Sequence, residues 1–249
     1  TQGVSSAASD VYKRQVPENV REIAPTTFTA VPRVWEKFYS AVTIAIAEAG
    51  VFQQWIYKQC MVIGHAVSDK VLAQQSVPFW LKAAFHLANL LALNNVRRMM
   101  GIQRARMLVT GAAPISPELV RWYLALGLPM LEVWGQTESC GGSTAMPAGR
   151  IRLGSIGIAC PYNEVMVDPD TQELLIRGPN VFMGYLNQPE KTAETVDAQG
   201  WLHTGDVGSV DAEGYFRITD RMKDIIITAG GKNITPSEWE NELKFSPYV

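Results

Sequence analysis

Cysteine, histidine and surplus charge are all scarce in this chain, and each scarcity removes a class of function. The three cysteines, Cys60, Cys140 and Cys160, stand far apart with no metal-ligand spacing. That argues against a zinc site or a disulfide framework and for reduced, cytosolic thiols. With 22 Lys+Arg against 24 Asp+Glu the formal net charge is -2, so there is no basic footprint and no nucleic-acid partner is expected. Two of the three histidines, His65 and His86, fall in helical pattern without a catalytic neighbour and read as structural. Long apolar runs are missing as well. The nearest approach to a membrane span, residues 77–96, is broken by Lys82, His86, Asn89, Asn94 and Asn95. Neither a signal peptide nor an internal repeat is recognisable.

What the chain does have is core. Of its 249 residues 47% are hydrophobic and 18% charged, enough for one large domain or two smaller ones. Residues 1–15 are small, polar and aperiodic, and read as a tail or a non-native segment. At the other end a helix has barely begun when the sequence stops at Val249. The expectation is a piece of a longer protein.

The first hundred residues are helical in pattern. Val34, Trp35, Phe38, Val42, Ala45, Ile46 and Ala49 follow helical spacing until Gly50 interrupts, the pattern resumes over residues 51–74, and a third helix is expected over 79–100, ended by Gly101. The Leu/Ala/Phe-rich face of that third helix suits a membrane surface or an ordinary core, and the core is preferred. Strand 106–109, helix 117–126 and strand 128–133 then suggest a βαβ unit of a parallel sheet. Its two loops would share the carboxyl edge, where open α/β sheets bind ligands.

Both loops carry chemistry. The first is Gly111-Ala112-Ala113-Pro114, whose small residues let a flat ligand approach the backbone. The second is Trp134-Gly135-Gln136-Thr137-Glu138-Ser139, where Gly135 permits a sharp turn and a hydroxyl and a carboxylate follow side by side. A hydroxyl can donate to a phosphate oxygen, and a carboxylate is a hard ligand for magnesium. Equally, Thr137 could cap a turn and Glu138 could be solvated.

After Gly149 the pattern turns to β. Asp168-Pro169-Asp170-Thr171 and Asp211-Ala212-Glu213-Gly214 each sit between short strands as hairpin signals. Between the hairpins lies Trp201-Leu202-His203-Thr204-Gly205-Asp206, whose aspartate could accept hydrogen bonds from a vicinal diol or simply end a turn. Asp220-Arg221-Met222-Lys223-Asp224 reads as an exposed hinge. Beyond it come a strand over 225–228, a turn with Gly230 and Gly231, and the capping box Thr235-Pro236-Ser237-Glu238 that opens a helix.

In this order the segments resemble the AMP-forming adenylating enzymes: acyl-CoA synthetases, peptide-synthetase adenylation domains and luciferases. The stretch Val31-Pro32-Arg33-Val34-Trp35-Glu36-Lys37 and the run over 176–185 look most like long-chain fatty acyl-CoA ligases. The resemblance implies an α/β fold. Residues 16–160 would form the α/β part of a large adenylating domain and 161–220 a small β-barrel-like subdomain. Residues 221–249 would be the hinge and the start of a small α+β domain. It further implies ATP, Mg2+ and CoA as co-substrates and cofactor, a fatty acid as substrate, and a cytoplasmic enzyme, peripheral at a membrane in one version.

Carried over residue by residue, the resemblance makes Glu138 the magnesium ligand and Thr137 a phosphate contact. Gly111, Ala112 and Ala113 would line the adenine pocket, with Gly135 at the turn and Trp134 packing on the base. Asp206 would bind the ribose hydroxyls and Arg221 the ribose or phosphate side. Lys223 would be the hinge, and Gly230 and Gly231 the loop that pantetheine passes. Two family elements, a phosphate-gripping Ser/Thr/Gly loop upstream and a distal lysine downstream, are not in this sequence, so the chain alone is expected not to complete the reaction. Cys160-Pro161-Tyr162-Asn163 departs from the family's proline–glycine turn. The alternatives are a fatty acyl-AMP ligase that loads a carrier protein, or a nucleotide-binding scaffold without catalysis.

Overall fold

Residues 15–224 are described by the structure, a computed structural model, together with two short strands beyond them, Ile226–Ile227 and Asn233–Ile234. The expected tail, the two-glycine turn and the capping box at 235–238 lie outside the described residues. The chain divides into two units. The first holds the described residues up to Val109 and Glu118–Met130; the second holds Thr110–Pro117 and the described residues from Leu131 onward.

The first unit is mostly helical. Helix α1 (residues 15–23) precedes strand β1 (Thr27–Ala30), and α2 (Pro32–Glu48) begins on a proline, which the first helical turn tolerates because its missing N–H is unpaired there anyway. Helix α3 (Val51–Leu72) restarts after Gly50, whose N–H is held by Gln53 Oε1 at 3.2 Å. The helix expected over 79–100 is α4 (Phe79–Ala88), a π-helical turn (Asn89–Leu93) and α5 (Asn94–Met100) in one run. Within that run Arg97 donates to the Asn89 side chain from eight residues away. Gly101 ends it in the left-handed region, at φ 79°. A Cβ there would also sit 2.4 Å from the Arg21 Cα, so glycine is required twice over.

Helix α6 (Pro117–Ala125) brings Tyr123 into this core. The Tyr123 ring meets Trp35 edge-on at 5.5 Å and its hydroxyl donates to the Trp35 carbonyl at 2.9 Å, so the most buried aromatic pair leaves no polar group unsatisfied. One face of α4 and α5 is buried through Leu81, Ala88, Val96 and Met100, as preferred from the sequence. The opposite face is exposed, and it is apolar too.

Strands β2 (Met107–Gly111) and β3 (Met130–Trp134) begin in the first unit and end in the second. The Leu108 N–H bonds the Pro129 carbonyl, and further along a Cβ on Gly111 would lie 2.6 Å from the Val133 carbonyl oxygen. Both contacts advance in the same direction along the two strands, so the pair is parallel and strand–helix–strand is a βαβ unit.

In the second unit β3 pairs antiparallel with β4 (Thr144–Ala145), and β4 with β5 (Ile158–Ala159). A separate antiparallel sheet follows in the order β6 (Glu164–Val167), β7 (Glu173–Arg177), β8 (Leu202–Val210), β9 (Phe216–Arg221), with helix α7 (Pro189–Thr195) between β7 and β8. Both hairpin turns form on their aspartates. Asp168 Oδ1 accepts from the Asp170 and Thr171 N–H groups, and Asp211 Oδ1 from those of Glu213 and Tyr215. Leu174, Ile176, Leu202, Phe216 and Trp134 make the core of this unit. Strands β10 (Ile226–Ile227) and β11 (Asn233–Ile234) form an antiparallel pair of their own.

Candidate active site

Every sequence-nominated residue in the described region except those on the far turn belongs to the second unit. At the end of β2 the chain turns through Ala112, a non-glycine residue at φ 67°. That conformation costs an alanine about 1 kcal/mol, and it leaves Ala112, Ala113 and Pro114 exposed with their backbone open to a ligand. At the end of β3 a Cβ on Gly135 would fall 1.7 Å from the Gly141 carbonyl oxygen, so no other residue fits. The loop closes on itself there. The Ser143 N–H bonds the Trp134 carbonyl at 2.7 Å, and Ser139 Oγ accepts the Gln136 N–H at 3.0 Å. A 3-10 turn, Thr137–Ser139, results, with Thr137 exposed, Glu138 half-buried and Ser139 buried.

Asp206 is the most constrained group of the site. It is only 4% exposed, yet its carboxylate receives donors from three directions. Trp134 Nε1–H reaches Oδ2 at 2.8 Å, Gln136 Nε2 lies 3.4 Å from the same oxygen, and Arg221 Nε meets Oδ1 at 3.1 Å. Asp206 was expected at the start of a strand; it lies inside β8, directly opposite Arg221 of β9, because the strand begins four residues earlier at Leu202. A buried carboxylate is tolerable only when it is paired and hydrogen-bonded, and this one is. Its remaining lone-pair capacity is what a diol could use.

Trp134 was expected to pack on an adenine ring. The indole is 7% exposed and sits among Leu174, Ile176, Leu202 and Phe216, with its N–H spent on Asp206. In this structure its visible work is to anchor that carboxylate.

Glu138 is held by a segment with no nominated residue. Tyr185 donates its hydroxyl to Glu138 Oε1 at 2.7 Å, and the Phe182 N–H donates to the Glu138 carbonyl at 2.8 Å. The hydrogen bond to Glu138 is the main reason that the Tyr185 phenol is pushed above its ordinary range, with burial second. Lys191 Nζ lies 4.4 Å from the centre of the Tyr185 ring, and Asn180 Nδ2 donates to the Ser139 carbonyl at 3.1 Å. An open cavity of about 580 Å³ lies along this segment, lined by residues 183–189, Thr192 and Ala193.

A third layer supports Asp206 from behind. Glu173 Oε1 accepts the Gly205 N–H at 2.7 Å while its Oε2 meets His203 Nδ1 at 2.9 Å. Thr204 Oγ1 accepts the Asp206 N–H at 3.1 Å, and Gln136 Nε2 donates to the Thr204 carbonyl at 2.7 Å. The Met222 N–H bonds the Gly205 carbonyl, which ties the turn carrying Lys223 to the same strand. Lys223 itself is exposed. The structure thus brings Trp134, Asp206 and Arg221 together and places Gly111 against β3. Gly230 and Gly231 lie outside the described residues.

Sequence reading passed over Gln136, Tyr185, Glu173 and His203. Gln136 stands inside the hexad, and Tyr185 inside the run noted over 176–185, so their positions were visible; their partners were not.

The donor set suits magnesium carried by a polyphosphate. Such an ion takes one or two carboxylates and completes its shell with phosphate oxygens and water. Among the described residues no cluster of three or more His, Cys, Asp or Glu could cage a metal. Glu138, with one oxygen engaged by Tyr185, and the neighbouring Thr137 hydroxyl fit that pattern.

Comparison with known proteins agrees with this chemistry. A family model described as AMP-binding enzyme matches residues 2–186. The chain is 36% identical over 232 residues to the putative fatty-acid–CoA ligase fadD11 of Mycobacterium tuberculosis, covering 92% of this chain and 40% of that protein. It is 36% identical over 242 residues to the long-chain-fatty-acid–CoA ligase ACSBG2 of Xenopus laevis, covering 96% of this chain and 32% of that one. The chain therefore spans about two fifths or less of the length of these relatives. Among solved structures, ATP-bound MatB from Rhodopseudomonas palustris matches with a TM-score of 0.53 at 34% identity, over 59% of this chain and 31% of that chain. The o-succinylbenzoate coenzyme A synthetase of Bacillus subtilis, in complex with ATP and magnesium, matches in fold with a TM-score of 0.61 at 22% identity, over 95% of this chain and 40% of that chain. With the family model covering most of its length, the chain belongs to the AMP-binding enzymes, the AMP-forming adenylating superfamily.

Proposed function

We propose that the protein carrying this chain is an AMP-forming long-chain fatty-acid–CoA ligase. In the first step a carboxylate oxygen of the fatty acid attacks the α-phosphorus of ATP, and the bond to the β-phosphate oxygen breaks to release pyrophosphate. In the second, the thiolate of CoA attacks the acyl carbonyl and AMP leaves. Charge builds on the α-phosphoryl oxygens in the first step, so fixed donors and a bound cation dominate the stabilisation.

This chain's residues take the following parts. Asp206 accepts the ribose hydroxyls, held in place by Trp134, Gln136 and Arg221. The exposed backbone of Gly111, Ala112 and Ala113 faces the adenine, and Gly135 turns the chain so that Thr137 can donate to a phosphate oxygen. Glu138 holds magnesium, which neutralises phosphate charge when bound. Lys223 is the hinge of a small domain that begins at residue 221, after a large domain of an α/β part and the β6–β9 sheet. Gly230 and Gly231 give pantetheine close passage. A cytoplasmic setting suits the free thiols.

One observation carries the reading: a buried aspartate whose carboxylate is fixed by an indole N–H and an arginine, in the superfamily's order of motifs. The test is the full-length protein with ATP, magnesium and CoA, offered acids from acetate to oleate and one aryl acid, with products read by mass spectrometry. Acyl-CoA from the long acids is the expected result. Acyl-AMP that accumulates without thioester would replace CoA with a carrier protein, and no product from any acid would overturn the assignment.

A further inference from the structure

The helical hairpin of α3, α4 and α5 is inside-out on one side. Phe79 is 86% exposed, Trp80 69%, Phe52 71% and Trp55 58%, and Leu90 and Leu91 continue the face. Tryptophan in particular is seldom left this open. The Phe52 and Trp55 rings stack on each other at 6.3 Å and against nothing else that is described. These are not stray residues. The first aromatics of α4 recur one and two turns later as Ala83, Leu87, Leu90 and Leu91, a stripe opposite the buried Leu81, Ala88 and Leu93.

The charge on this hairpin is one-sided. Residues 51–100 hold five Lys/Arg and a single acid, Asp69, a net of +4 within a chain of net -2. Asp69 is itself occupied by Arg121, at 2.8 Å. Each aromatic pair moreover shares its helix face with a lysine one turn on: Trp55 with Lys58, and Phe79 with Lys82, both lysines exposed. Aromatic rings with a lysine a turn away are the arrangement that seats rings at the headgroup level while the ammonium reaches lipid phosphates.

We infer that the outward face of the α3–α5 hairpin is a docking surface for an anionic lipid bilayer, lying in the interface and not spanning it. No helix among the described residues is long and apolar enough to cross a membrane. The rings supply the apolar area, and the excess of basic residues selects anionic headgroups, whose attraction amounts to about fivefold in partitioning per lysine. The inference goes beyond the ligase reading and does not need it.

The test is flotation of the full-length protein with phosphatidylcholine vesicles, with and without phosphatidylglycerol, at low and high salt. Binding is expected only with phosphatidylglycerol, weakened by salt. Trp55→Ala/Trp80→Ala should lower partitioning by about tenfold or more, and Lys58→Gln/Lys82→Gln by about twenty-fold, recovered in part at low salt. Turnover of a water-soluble short acid, which needs no bilayer, should be unchanged in all variants and excludes misfolding as the cause. Wild-type protein that ignores anionic vesicles would overturn the inference. So would variants that float as well as wild type. Two further results would assign the face to another occupant: indoles of the full-length protein shielded from acrylamide, or a dimer that Trp80→Ala splits without a change in flotation. Vesicle binding without ligation would remove only the ligase reading, and ligation without vesicle binding only this one.

Discussion

The Tyr185 hydroxyl occupies Glu138 Oε1 at 2.7 Å, joining two residues 47 positions apart. A carboxylate with one oxygen taken binds a cation through the other alone. Magnesium, small and strictly octahedral, accepts that single-oxygen contact, whereas larger ions favour both oxygens of a carboxylate. On the proposed chemistry Tyr185 therefore sets how Glu138 meets its ion. Tyr185→Phe should raise the magnesium concentration for half-maximal adenylation by about fivefold, the worth of roughly 1 kcal/mol of hydrogen bond, and should narrow the preference for magnesium over calcium. A titration of pyrophosphate release against each ion reads both effects. An unchanged magnesium curve would mean that Tyr185 only packs.

Asp206 carries a different kind of cost. Replacing it by alanine removes the proposed ribose acceptor and strands the Trp134 indole N–H, which is buried and has that carboxylate as its acceptor. An orphaned buried donor costs about 1–3 kcal/mol. Asp206→Ala should thus weaken ATP binding and also lower the melting temperature without ligand, while Asp206→Asn keeps an acceptor for the indole and should lose ATP affinity with a smaller thermal change. Calorimetric ATP titration and thermal melts of the full-length variants separate the two. Glu138→Ala, in contrast, should lower the adenylation rate more than ATP affinity.

The helices and the βαβ unit were legible because they rest on local signals: spacing of apolar residues, Pro32 at a helix start, Gly101 at a helix end, aspartates at two hairpin turns. The polar wiring was not. Trp134 bonds a residue 72 positions away, and nothing in its neighbours distinguishes an indole that stacks on a ligand from one that anchors a carboxylate. The same holds for Tyr185 and Glu138. Strand β8 also began earlier than its pattern suggested, since Trp201-Leu202-His203-Thr204-Gly205-Asp206 reads as a loop from its glycine. Its extended course comes from pairing with β7, where Leu175 faces His203 and Ile176 faces Leu202. The apolar outer face of the hairpin was visible as apolar residues, but the sequence alone preferred a core.

Gly135 tests the turn itself. A methyl group there would overlap the Gly141 carbonyl oxygen, so Gly135→Ala must open the loop that presents Thr137 and Glu138. Adenylation should fall by about 100-fold or more, as a shift of around 1 Å in a positioned group can produce. Gly149→Ala is the control for inserting a methyl group at a glycine: at Gly149 an added Cβ meets nothing within 4 Å, although its φ of 81° strains an alanine. Pyrophosphate release by both variants checks the contrast, and equal activities would remove the turn from the mechanism.

Glu132 gives the stability a pH dependence. It stands on β3 two residues before Trp134, and burial pushes its carboxyl up to about 8 from an ordinary 4.5. In the unfolded chain the group ionises near its ordinary value, while the folded protein holds the proton until about pH 8. Between those limits the folded state binds more protons than the unfolded one, so stability from this residue falls as pH rises through the window and is constant above it. The span amounts to a few kcal/mol, at about 1.4 kcal/mol per unit. Glu132→Gln keeps the shape, removes the ionisation and should flatten this component. Urea unfolding at pH 5, 6, 7 and 8 measures it: wild type should lose stability relative to Glu132→Gln at each step. A difference that stays constant with pH would show that Glu132 is already ionised in the folded protein.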